Sequence, residues 1–356
     1  MSNEKHRLSN IELLRILAAG GVILLHYNNA GMGGGFLYVD AWSINQLVLM
    51  FFESVFVCAV NLFVIISGYF MAEKKTADML KPLGIIIQVI IYALAFNVLL
   101  VVTGLRQFSF NSIINCFIPN NWFIILYAAL YVISPYINKF LGDFSVRDKI
   151  RIIVTLGIVF CLFPTLADIL ALWTGKEFMG LSTIGMYGSQ DGYTIVNFII
   201  MYMIGNVLRD IKPFRQKKQV LFLAAVIVLI FVWALLDNAL IHEKHSSWAY
   251  CNPLVVIEAV LVFQIFRNIK IQYNRFINRL AAASLSVYIF HTKVIGRIGI
   301  EQFVNRQLYV MIGHLLLSCI AIYFASWILY EAYSRLISPL HRAVSTRWKK
   351  HRFVTI

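Results

Sequence analysis

The sequence predicts an all-α integral membrane protein of about ten transmembrane helices with both termini in the cytoplasm. Three observations carry this. Of the 356 residues, 60% are hydrophobic and 13% charged, and the mean hydropathy of +0.75 lies far above soluble averages. Apolar runs long enough to cross a bilayer recur along the whole chain between short polar breaks. Of the 31 lysines and arginines, 24 fall in alternate connecting segments, from Lys5 and Arg7 through Lys139–Arg151 and Arg209–Lys218 to the C-terminus, and six fall in the others. That asymmetry is what the positive-inside rule expects for an even number of spans with both ends inside. Nothing alternates like a barrel strand, so every span is read as a helix.

The first span, near 11–28, holds IELLRILAAGGVILLHY, with Arg15 and His26 eleven residues apart. At 100° per residue the two side chains share one face, separated by about 16 Å along the axis. Arg15 alone is compatible with snorkelling, and His26 alone with an interfacial position beside Tyr27. Lys5, Arg7 and the run 16–25 resemble a signal peptide, but Glu12 and Arg15 interrupt the run and no small-x-small site follows His26.

The second span, near 47–71, places Glu53 in its outer third, Asn61 near its middle and Ser67-Gly68-Tyr69 at its inner end. Glu53 then falls at the depth of His26, where a carboxylate can orient an imidazole for acid–base work or form a purely structural interhelical bond. Gly68 suits close helix packing, and Ser67 a bond to its own backbone.

The remaining spans follow near 82–103, 121–141, 151–173, 193–209, 219–241, 253–270, 281–300 and 308–336. Trp122 opens the fourth, as a sugar-stacking group or an aromatic-belt residue. Asp168, Asp237 and Glu258 are further intramembrane carboxyls, and His291 lies at middle-to-outer depth in the ninth span. His314 and Glu331, in the last span, read as helix-packing partners. The outer segments are too short to fold alone, so 1–356 is one polytopic domain, with 337–356 a short basic cytoplasmic tail.

The formal net charge of +14 is explained by topology and by attraction to lipid headgroups, and calls for no nucleic acid. There is no CxxC, HExxH, GxGxxG or P-loop, and no metal-ligand spacing. Cys58, Cys161 and Cys319 lie in spans; Cys116 and Cys251 fall in outer loops, where a disulfide is an open alternative.

Four segments, in order, resemble acyltransferase family 3 membrane proteins: the R-x10-H of Arg15 and His26, NLFVIISGYF at 61–70, NWFIILYAALYVISPYI at 121–137 and SLSVYIFH at 284–291. The resemblance covers nearly the whole chain. It implies a bacterial inner-membrane enzyme that transfers an acyl group, most often acetyl from acetyl-CoA, to an extracytoplasmic or lipid-linked carbohydrate. His26 and Arg15 match the family's essential histidine and arginine. Many members carry arginines just after the SGY motif, where this chain has Lys74, Lys75 and Lys81; lysine keeps the charge but loses the planar fork. Many also append an SGNH-type domain, so this chain resembles the stand-alone type.

The expected site therefore has His26 as general base or acyl acceptor and Glu53 as its orienting partner. Arg15, Lys74, Lys75 and Lys81 would hold the donor, and Asn61, Ser67 and Tyr69 would steady the thioester oxyanion, with Trp122 and His291 lining the site. The expected partners are acyl-CoA as a substrate, the glycan, membrane lipids and, as an open alternative, a second copy of the chain; no bound cofactor is called for. The competing class is a secondary transporter or flippase, which would commonly show paired repeats and broken helices in corresponding positions.

Overall fold

A computed structural model describes residues 7–118, 121–181, 185–212, 216–240 and 246–350, with side chains described as far as 337. Lys5, Arg215 and Lys244 lie outside the described residues, as do the side chains of the basic positions beyond Ile337. Among the described residues the chain is helical, with one isolated antiparallel bridge, Met179 to Tyr187. It is an all-α integral membrane protein, and among the described residues eight helical stretches, some made of two consecutive helices, are long and apolar enough to cross a membrane.

The helices that position the site are α1 (Ser9–Asn28), α2 (Ile44–Phe56), α3 (Ala59–Met71), α4 (Leu80–Val102) and α5 (Trp122–Gly142). They continue with α6 (Val146–Gly157), α7 (Phe163–Thr174), α8 (Ile195–Asp210), α9 (Gln216–Leu240) and α10 (Pro253–Asn268). The last three are α11 (Arg275–Ala281), α12 (Ser284–Val294) and α13 (Leu308–Lys350). Within their most apolar stretches, α1 is 61% buried and α2–α3 67%, against 22% for α4 and for α9. The first two expected spans are therefore the centre of the bundle, and α4 and α9 turn their apolar surface to lipid.

Two expected spans differ in form. The sixth is the 16-residue α8, and the ninth is divided into α11, the 11-residue α12 and a turn at Ile295–Arg297. Almost every residue from Asn197 to Leu208 is buried, so α8 is enclosed by protein and need not match the bilayer thickness. It lies against α3 through a pair of glycines. A Cβ at Gly68 would come 2.1 Å from the Tyr202 carbonyl oxygen, and one at Gly205 would come 2.1 Å from that of Ile65. Gly68 thus serves close packing, as small residues do between membrane helices.

Interruptions in the other spans have local causes. Pro135 removes the N–H that would bond the Tyr131 carbonyl, and Ser134 Oγ donates to that same carbonyl at 2.8 Å. Between α6 and α7 a π-helical turn at Ile158–Leu162 precedes Pro164, and the Phe163 N–H reaches Ile158 O. The second span breaks at Val57–Cys58, with no proline or glycine at the break. The last span continues as one helix for 43 residues, about 64 Å and twice the thickness of a bilayer core. The first part of the expected tail is therefore helical.

Segments that the charge pattern assigns to one side meet at one end of the bundle, called here the basic end. Arg7 donates to Asn278 O, Lys149 pairs with Asp210 at 2.9 Å, Arg209 with Glu73 at 2.5 Å and Arg279 with Glu331 at 2.5 Å. Glu331 thus joins α13 to α11. At the far end, Asn45 donates to the carbonyls of Val304 and Arg306, the Tyr250 N–H bonds Asp191 O, and Phe36 stacks on Trp248.

Candidate active site

His26 lies in the last turn of α1, near the far end. Its Nδ1 is 2.5 Å from Nε2 of His291 on α12. The ring planes differ by 15° and the centroids are 4.7 Å apart. The centroid separation exceeds the nitrogen–nitrogen distance by about two ring radii, so the rings meet edge to edge along a hydrogen bond rather than face to face. His291 is fully buried, and its Nδ1 lies 2.8 Å from the Val287 carbonyl one turn back.

That carbonyl fixes the protons. A carbonyl only accepts, so His291 carries its hydrogen on Nδ1 and, as a neutral ring, offers Nε2 as an acceptor. His26 then donates from Nδ1, which leaves the Nε2 lone pair free. His26 keeps accessible surface, and its Nε2 makes no hydrogen bond among the described residues. This is the arrangement of a base or nucleophile whose second nitrogen is held by a partner.

The expected orienting partner was Glu53, and the structure gives that place to His291. Glu53 Oε2 instead accepts from Asn28 Nδ2 at 2.7 Å, and the same amide donates to Leu49 O. Asn28 follows His26 by two residues, about 200° around the helix. It therefore turns towards α2 while His26 faces α12.

Arg15 is on the same helix, about 16 Å towards the basic end. Its guanidinium lies 3.4 Å from Glu12 Oε1 and 5.7 Å from the Phe70 ring centroid, which places it at the end of the SGY segment. Other cations gather around that end of α3. Lys74 and Lys81 lie 5.7 and 5.9 Å from the Tyr131 ring, Arg267 lies 5.5 Å from the Tyr69 ring, and Arg209 bonds Glu73. Lys75 is exposed nearby. The C-terminus of α3 carries negative partial charge, which favours this gathering.

Of the three expected oxyanion donors, Asn61 and Ser67 already have hydrogen-bond partners, and Tyr69 lies elsewhere. Asn61 donates to Tyr250 O at 2.8 Å and accepts from Asn197 at 3.3 Å, tying α3 to the far-end loop and to α8. Ser67 donates to Phe63 O and meets the Tyr127 hydroxyl at 3.0 Å. Tyr69 packs against Phe263 and Arg267 at the basic end, away from His26. These residues build the scaffold between the two ends.

Trp122 belongs to a cluster, with its ring centroid 4.5 Å from that of Tyr193 and 6.1 Å from that of Tyr250. Its neighbour Phe123 lies 5.2 Å from Tyr288, whose ring is 5.7 Å from His291. An aromatic wall therefore runs from the start of α5 to the histidine pair. Sequence reasoning missed Asn28, Tyr193, Tyr250, Tyr288 and Arg267. Tyr288 had a signal, since it precedes His291 by three residues and shares its helix face. Tyr193 and Tyr250 sit at loop ends, where no periodicity marks them.

The other polar groups of the spans are mostly structural. Asp168 accepts from the Ser189 N–H, Asp237 accepts from Ser246 and Ser247, and Tyr27 bonds His314 Nδ1 at 2.9 Å. Cys116 and Cys251 both carry free, buried thiols.

The fold and this site define a polytopic membrane protein with a polarised histidine at one end of its central helix and a cation cluster at the other. The chain belongs to acyltransferase family 3: that family's acyltransferase domain matches residues 8–331. It is an acyltransferase. Neither the curated proteins nor the solved structures gave a match.

Proposed function

We propose that the protein moves an acetyl group from cytosolic acetyl-CoA to a hydroxyl of an extracytoplasmic or lipid-linked carbohydrate, in a bacterial cytoplasmic membrane. The observation that carries this reading is that α1 joins the two halves of such a reaction, with Arg15 among cations at one end and a free His26 Nε2 near the other. The charge pattern supports a cytosolic basic end. The family supports the acyl chemistry.

CoA is anionic, and Arg15, Arg267, Lys74 and Lys81 offer its phosphates charge-assisted contacts. The pantetheine arm carries the thioester along α1 towards His26. There Nε2 takes the proton of the acceptor hydroxyl as its oxygen attacks the thioester carbonyl. The carbon–sulfur bond breaks, the thiolate leaves and the imidazolium returns the proton to sulfur, giving an ester and free CoA. The same nitrogen can accept the acyl group first and pass it on; His291 holds Nδ1 in both cases. The His26 Nδ1–H that faces His291 steadies the imidazolium, and Val287 anchors His291 in turn.

The test is acyl transfer by the purified protein in nanodiscs and the acyl content of surface glycan in cells. His26→Ala is expected to insert normally and to lose transfer by about 10²–10⁴-fold, the usual contribution of a general base. Normal glycan acylation in cells carrying His26→Ala would overturn the reading.

A further inference from the structure

Between the end of α3 and the start of α4 the chain crosses the basic end as a short segment, 72–79, which carries Lys74 and Lys75 and leads to Lys81. Its two acids are engaged in holding it. Glu73 pairs with Arg209 on α8, and Asp78 Oδ1 accepts from the Leu80 N–H at 3.2 Å where α4 begins. The net positive charge is therefore left to the lysines. Lys74 and Lys81 both lie over the Tyr131 ring, whose hydroxyl accepts from the Asp78 N–H at 3.4 Å.

One side chain grips the start of this segment. Asn138, near the end of α5, donates one amide hydrogen to Met71 O at 2.7 Å and the other to Lys74 O at 2.9 Å. Those carbonyls are the two ends of a turn that the Lys74 N–H closes on Met71 O at 2.9 Å. Carbonyls only accept, so they fix which end of the amide is nitrogen. The amide oxygen accepts from the Tyr202 hydroxyl at 2.9 Å and from Asn206 Nδ2 at 3.4 Å, both on α8. All four hydrogen-bonding positions of the amide are thus filled. Water can satisfy a carbonyl at a helix end without giving the chain a direction. A side chain that takes both carbonyls of the turn, and is itself held from α8, sets that direction.

We infer that Asn138 is a positioning residue for the acyl donor, which aims the lysines of 74–81 by holding the Met71–Lys74 turn against α5 and α8. It acts through those lysines and not on the substrate. This rests on the reading that they meet the phosphates of CoA, and adds that they do so as one preset group. A single lysine is replaceable by its neighbours, whereas the turn governs them together. Releasing the turn should therefore cost more donor affinity than losing any one of them.

The experiment measures acetyl-CoA affinity by titration, and turnover at saturating donor, in nanodiscs. It compares the enzyme, Asn138→Ala, Asn138→Ser, a triple variant Lys74→Ala, Lys75→Ala, Lys81→Ala, and the triple variant combined with Asn138→Ala. Asn138→Ala removes both bonds to the turn and is expected to weaken acetyl-CoA binding by about fivefold or more. Its turnover at saturation should stay within about twofold. In the triple variant the same substitution is expected to change affinity by less than about twofold, because the groups it aims are gone. Asn138→Ser keeps a hydroxyl but cannot span both carbonyls, and it carries the test should Asn138→Ala not fold. Affinity that is unmoved at Asn138 while the triple variant binds weakly would overturn the inference alone. So would an equal loss with and without the lysines, or a loss confined to turnover, since plain packing would give either. If the triple variant binds acetyl-CoA as tightly as the enzyme, the donor does not lie on this segment, and the inference falls with that reading.

Discussion

The two ends of α1 are built on different physics. At the basic end Arg15 shares its surroundings with Lys74, Lys81, Arg209 and Arg267, several of them partly exposed and resting on aromatic rings. At the far end His26, His291 and the Val287 carbonyl form a single file of hydrogen bonds, with His291 fully buried. A cluster of charges adds up gradually, so losing one leaves most of the field in place. A tautomer does not, because moving one proton turns the reactive lone pair into a donor. The ends should therefore respond differently to single substitutions.

The largest effect short of removing His26 is expected at His291. His291→Leu leaves His26 Nδ1–H facing an apolar side chain and frees the ring to exchange tautomers. Transfer at saturating acetyl-CoA should fall by about 10²–10⁴-fold while donor affinity holds. His291→Gln keeps a carbonyl acceptor at that position and should lose less. Equal losses in the two variants would show that His291 fills space rather than fixes a proton.

A middle effect is expected at Arg15. Arg15→Lys keeps the charge but not the fork, and a charge-assisted contact of this kind contributes about 1.5–3 kcal/mol, so donor affinity should weaken by about tenfold or more. The smallest belongs to the lysines. Lys74 and Lys81 lie over one ring, that of Tyr131, and each alanine substitution should raise the acetyl-CoA KM by less than about fivefold, with the difference fading as salt rises. A tenfold loss from either lysine alone would mean that it makes a specific contact and that the cluster is not redundant.

What the sequence disclosed follows the same division. Helical spans and the gathering of basic segments were legible, because hydrophobic runs and charge asymmetry are summed properties of many residues; that the first two spans form the centre of the bundle was not. The distance along α1 between Arg15 and His26 was legible too, since one helix sets it. The partner of His26 was not. Depth alone matched Glu53 to His26, but the two-residue step to Asn28 sends the nearer contact to the opposite face of α1, and α12 brings His291 from 265 positions away. Asn61 and Ser67 were legible as polar groups in a span, and their partners, Tyr250, Asn197 and Tyr127, were not. The SGY glycine was readable as a packing residue because a missing Cβ matters only where another backbone comes close, and Tyr202 does.

The most direct test sets the two ends side by side in the same nanodisc preparation, with acetyl-CoA affinity measured by titration and acyl transfer measured at saturating donor. Arg15→Lys is expected to bind acetyl-CoA about tenfold or more weakly and to turn over nearly as fast once saturated; His26→Gln is expected to bind it normally and not to turn over. An Arg15→Lys protein that binds the donor like the unmodified enzyme yet fails to transfer would place Arg15 in the chemical step and contradict the division between the two ends.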